Sequence, residues 1–162
     1  MYKNTEKYQR VVDELIRKSF PELKGRIIFM REVKSKSWYS AKTVDLLFFK
    51  GISIYPQCRN YSKDALKGVL AHELSHLSII TDMSITEKLI AFFKWISSKK
   101  ERADFEKRAD MQVIQRRLGK YLLQFRKEGF LRKTKAQLKE IYRRGYLSPD
   151  EIKSYAIKTG KW

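Results

Sequence analysis

Residues 52–81, ISIYPQCRNYSKDALKGVLAHELSHLSIIT, contain the point at which this chain changes character. Ahead of Pro56, the segments 26–33, 37–49 and 52–55 are rich in Ile, Val, Phe, Tyr and Trp, with Gly25, Gly51 and Pro56 as breaks. That pattern predicts a small sheet of three or four strands. From Ser62 onward the apolar residues recur at helical spacing, over 63–81, 86–97 and a long run from 99 to about 126. Shorter helices are predicted at 134–144 and 149–158, the last opened by Ser148-Pro149-Asp150-Glu151, which offers a cap, a first-turn proline and a capping-box glutamate. A helix over 5–19 precedes the sheet and is stopped by Pro21. The expected fold class is α+β: a small sheet near the N-terminus, then a helical half. Residues 1–162 read as one domain, with 130–162 as a helical tail.

Composition sets the outer bounds. The 162 residues carry 36 Lys+Arg against 18 Asp+Glu, a formal charge of +18, and 43% of them are hydrophobic. This is enough apolar side chain to form a core and argues against global disorder. No apolar run approaches the roughly 20 residues that a bilayer demands, so no membrane span is expected. The first residues lack the apolar centre of a signal peptide, and a cytoplasmic location is expected. Cys58 is alone, which excludes an internal disulfide and a cysteine-built zinc module. The positive charge would attract nucleic acid or an anionic surface. Yet there is no RNA-binding aromatic signature, no zinc-finger spacing and no long basic block, and a solvated basic surface accounts for the charge equally well.

Between Gly68 and Thr81, Glu73 is the single charged residue, so this helix is predicted to be buried nearly all round. His72 and His76, the only two histidines, lie within it. A spacing of four residues is one helical turn and brings both imidazoles to one face, at a separation suited to one tetrahedral metal ion. Glu73 is turned by about 100° from His72 and can stand beside an open metal position without becoming a ligand. From there it can take a proton from a metal-bound water. A pair of core histidines without metal would have to satisfy four ring nitrogens in an apolar helix, which is costly.

Two histidines leave a catalytic zinc one protein ligand short. Glu106 and Asp110 are spaced four apart in Glu106-Lys107-Arg108-Ala109-Asp110 and share a helix face with Ala103 and Val113. Small alanines would let that helix lie close to the histidine helix. Glu106 could then reach the metal, while Asp110 accepts the outward ring N–H of His72 or His76 and fixes its tautomer. Glu101 competes for the ligand role, but it lies roughly 140° around the helix from Glu106. Cys58 reads as a small buried residue.

His72-Glu73-Leu74-Ser75-His76, followed thirty residues later by Glu106-Lys107-Arg108-Ala109-Asp110, resembles the HExxH plus ExxAD pair of the gluzincin metallopeptidases related to HtpX and the CAAX prenyl proteases. Those relatives are generally membrane-embedded, so the resemblance points to the small soluble archaeal minigluzincins. It covers roughly residues 37–118. It implies zinc held by His72, His76 and Glu106, with Glu73 as general base and acid and Asp110 supporting the ligands. It also implies latency, with a segment of the chain lying across its own cleft, and the tail end 155–162 is expected to obstruct substrate access. The larger relatives have a later histidine-proline motif. No histidine follows His76 here, and Leu147-Ser148-Pro149 does not replace that motif, so the group stabilising the oxyanion is not identified.

The expected function is therefore a soluble zinc-dependent metalloendopeptidase acting on peptides or unfolded proteins. An edge of the sheet, over 38–44, is a candidate for holding substrate extended as an added strand. The alternative is a basic nucleic-acid-binding module whose metal is structural or absent.

Overall fold

The computed structural model of the protein describes residues 5–35, 39–46, 49–131 and 133–162. It is α+β, as expected: a three-stranded sheet near the N-terminus, then a helical half. The first helix, α1 (Glu6–Ser19), buries Tyr8, Val12 and Leu15 along one stripe. It ends where Phe20 N–H turns back to the carbonyls of Leu15 and Ile16, and Pro21 opens a short 3-10 turn.

Strands β1 (Ile28–Glu32), β2 (Ala41–Leu46) and β3 (Phe49–Ile54) are arranged in the order β1-β3-β2. β1 runs parallel to β3, and β2 runs antiparallel to it. Ile28, Met30, Ala41, Ile52 and Ile54 form the buried face, following the two-residue period of strands. Of the strand expected over 37–49, β2 covers Ala41–Leu46: Tyr39 and Ser40 precede it outside any strand, and Phe49 already belongs to β3, while Ser37, Trp38, Leu47 and Phe48 lie outside the described residues. Gly51 does not break the sheet. It lies within β3, between Phe29 of β1 and Val44 of β2, where a Cβ would meet the Phe29 carbonyl at an ordinary contact distance of 3.4 Å.

Helix α2 (Lys63–Thr81) begins at Ser62, whose hydroxyl accepts the Ala65 N–H at 3.1 Å. It is buried along most of its length, as the single charge between Gly68 and Thr81 predicts. Gly68 is the point of closest approach to a later helix, because a Cβ there would overlap the Tyr121 carbonyl. Helix α3 (Ile85–Ser97) follows a Ser84/Glu87 capping box, and α4 (Lys99–Gln115) is capped by Ser98.

The long helix expected from 99 to about 126 is two helices, with α5 (Gly119–Phe130) following α4. The break is a Schellman turn. Arg117 adopts φ 63°, its N–H bonds the Ile114 carbonyl, and Leu118 N–H bonds the Val113 carbonyl. Helices α6 (Lys135–Arg143) and α7 (Pro149–Lys158) complete the chain, each opened by a capping box. α7 packs on α4 and α5, and its Ile152 and Ala156 join the same core as Tyr8 and Leu74. Among the described residues, no helix is long and apolar enough to cross a membrane.

Candidate metal centre

α2 and α4 pack together, and the two sequence motifs meet at their contact. One helical turn separates His72 from His76, and their Nε2 atoms lie 3.1 Å apart. Glu106 Oε2 stands 3.1 Å from each of them. The three atoms thus form an almost equilateral triangle. Ligands at zinc–nitrogen distances around a tetrahedral ion stand about 3.3 Å from one another, so the donors are already spaced for one such ion. His72, His76 and Glu106 are the group among the described residues that could hold a metal.

The proton balance supports this reading of the geometry. His72 Nδ1 lies 2.8 Å from Asp110 Oδ1, a contact that assigns the ring proton to Nδ1. In the neutral ring Nε2 then presents only a lone pair, directed at a carboxylate oxygen that also has only lone pairs and at the second imidazole. Such an array is repulsive unless a cation or a proton lies within it. Without a metal ion, the occupant is a proton on His72. Burial alone would push the His72 imidazole down, but the Asp110 and Glu106 carboxylates outweigh it and hold it up at about 10. Burial likewise works against the Glu106 carboxylate, yet His76 and His72 hold it well below the usual range. The pocket is built to attract positive charge.

Asp110 is fully buried and bonds three partners. Besides His72, it receives Arg126 Nη2 at 2.7 and 2.9 Å and the Leu147 backbone N–H at 2.9 Å. Burial opposes its charge, but Arg126 and His72 keep its carboxyl below the usual range. His76 is fixed differently: its ring stacks on Phe105 at 4.8 Å, and its Nδ1 has no partner among the described residues.

Glu73 lies on the same helix, 6% exposed, and lines a cavity of about 580 Å³ together with His72. Thr43 of β2 holds it, with Oγ1 2.7 Å from Glu73 Oε2 and 3.0 Å from its backbone carbonyl. Since β2 is an edge of the sheet, the carboxylate sits beside that edge. Tyr146 also lines the cavity, its ring 5.6 Å from that of His72 and 4.7 Å from the Arg126 guanidinium. Burial, then the Glu106 carboxylate, push its phenol well above the ordinary value, so it is a hydrogen-bond donor at neutral pH.

The structure brings His72, Glu73, His76, Glu106 and Asp110 together and leaves the other candidates outside. Glu101 is exposed at the start of α4, where its N–H is capped by Ser98. The Cys58 thiol is buried in a 3-10 turn, donates to the Ser40 carbonyl at 2.9 Å, and is pushed up to about 12 by burial. Thr43, Arg126 and Tyr146 were not singled out by sequence reasoning. Arg126 is hidden among 36 basic residues, and Thr43 reaches the site only through long-range pairing of strand and helix. Gly145 gave a hint for Tyr146: it adopts φ 91° and packs where any Cβ would overlap the Ala103 backbone, fixing the residue that follows. The tail meets the cavity through Phe130, Leu131, Lys133, Ile141 and Tyr146, and not through the end 155–162 expected to obstruct it: Ala156 packs by Gly119 and Trp162 lies by Lys120.

Comparison with protein families, with curated proteins and with solved structures finds no match to this chain.

Proposed function

We propose that this protein is a zinc-dependent metalloendopeptidase of the kind its HELSH and EKRAD segments resemble. The observation that carries the reading is the triangle of lone-pair donors from His72, His76 and Glu106, with Glu73 in the adjoining cavity. Two imidazoles and a carboxylate favour zinc among the common divalent ions. A structural zinc site closes with four protein ligands, and no fourth joins these three among the described residues. A zinc ion bound there would polarise a peptide carbonyl and acidify a water molecule.

The chain's own groups supply the rest. The edge strand β2 can pair with a peptide backbone and hold it extended beside Glu73. Glu73, oriented by Thr43, takes a proton from the attacking water and returns it to the departing amine. Tyr146 is the candidate donor to the oxygen on which negative charge gathers. Latency fits this scheme through the tail residues Leu131, Ile141 and Tyr146, which wall the cavity that the substrate would fill.

The test is metal content and casein hydrolysis, measured on the wild-type protein and on Glu73→Gln. The variant is expected to keep one equivalent of metal while losing at least about a hundredfold in turnover. A folded Glu73→Gln protein that retains a measurable wild-type turnover in full, or a folded wild-type protein that takes up no metal, would overturn the proposal.

A further inference from the structure

α3 has no buried residue, although its sequence is that of a core helix. Ile85, Leu89, Phe92 and Ile96 follow one another at spacings of four, three and four, which sets them in one stripe on an α-helix. In a helix packed into a protein this stripe would face inward. Here it faces water, with Ile85 66%, Leu89 54%, Phe92 56% and Ile96 47% exposed, and Phe93 widens it at 61%. The helix packs against α4 without burying any of its residues, and the Ser84/Glu87 capping box starts it, with Glu87 Oε2 accepting the Ser84 N–H at 2.7 Å. A contiguous apolar surface of this kind marks an interaction site.

The charge around the stripe selects the partner. From Ile85 to Arg102 there are five basic and two acidic side chains, and one of the two acids, Glu87, is engaged in the cap. Lys94, Lys99 and Lys100 are exposed at the C-terminal end, and Trp95 lies there under the Arg102 guanidinium. Thirteen residues of helix span about 20 Å, too short for the roughly 30 Å of a hydrocarbon core. A second copy of the chain would bring another formal charge of +18 against the same basic rim. An apolar face with Phe and Trp, bordered by lysines, instead matches the boundary between acyl chains and acidic headgroups.

We propose that α3 docks this protein on an anionic lipid surface, lying in the headgroup layer with Leu89, Phe92, Phe93 and Ile96 inserted. α3 joins the histidine helix to the glutamate helix, so docking would set the metal centre at a fixed height above the lipid. The inference is independent of the peptidase reading.

Flotation of the full chain with phosphatidylcholine vesicles, and with vesicles containing about a third phosphatidylglycerol, tests it. Binding to the anionic vesicles should be at least about tenfold stronger and should weaken with salt. Phe92→Ser with Phe93→Ser should reduce that binding about tenfold or more, while far-UV circular dichroism and the melting temperature stay unchanged, because neither ring is in the core. Lys94→Glu with Lys99→Glu and Lys100→Glu should remove the preference for anionic lipid. Failure to bind either vesicle, equal binding to both, or a dimer in solution that dissociates with the two serine substitutions would overturn the proposal. The last result would make a second copy the occupant of this face.

Discussion

Asp110 has no exposed surface and carries more of the centre than its position behind the ligands suggests. Its carboxylate orients the His72 ring, neutralises the buried Arg126 guanidinium and receives the Leu147 backbone N–H. Asp110→Asn keeps the shape and removes the charge. The substitution should cost about 3 kcal/mol in urea unfolding, because Arg126 would remain buried without its counter-ion. It should also weaken metal binding about 10- to 100-fold in a chelator competition, because the His72 ring loses its anchor. Unchanged affinity would separate Asp110 from His72's orientation. The candidate ligands were legible in the sequence because helical spacing is local: His72 with His76, and Glu106 with Asp110, each differ by one turn. Thr43 and Arg126 were not, since each acts across the fold on a residue remote in sequence, and neither belongs to a spacing pattern.

The close contact between α2 and α5 depends on a missing side chain. A Cβ at Gly68 would overlap the carbonyl carbon and oxygen of Tyr121, backbone atoms that cannot turn aside as a flexible side chain would, and would crowd the Phe125 Cβ. Gly68→Ala is expected to destabilise the protein by about 1–3 kcal/mol in chemical denaturation, although alanine favours a helix in isolation. A stabilised variant would show that α5 can move away at no cost. The elements themselves were largely readable. α2 has the predicted bounds because Ser62 caps it, and α7 because Ser148, Pro149 and Glu151 open it. The break between α4 and α5 was not readable, because the left-handed residue that ends α4 is Arg117 and not a glycine. Gly51 is the opposite case: glycine usually marks a turn, and here it lies within a strand that is paired on both sides.

In the whole molecule, the His72, His76 and Glu106 triangle ties α2 to α4, helices separated by the exposed α3. An ion bound only by the folded chain stabilises it by mass action, by about 2.7 kcal/mol at a free concentration 100 times the dissociation constant. For a chain of this size, that corresponds to about 5–10 °C in melting temperature. Chelation should therefore lower the thermal midpoint by that amount and zinc should restore it, as read by differential scanning calorimetry. A midpoint indifferent to chelator in a metal-loaded sample would mean that the triangle is not where the ion sits.

The hydrogen bond from Leu147 to Asp110 limits where this chain can be shortened. A cut just after Gly145 would discard that N–H together with Tyr146, leaving a buried carboxylate oxygen with fewer donors. Truncation at that joint would therefore damage the centre, and any shortening that leaves it intact has to spare the strap from Gly145 to Leu147.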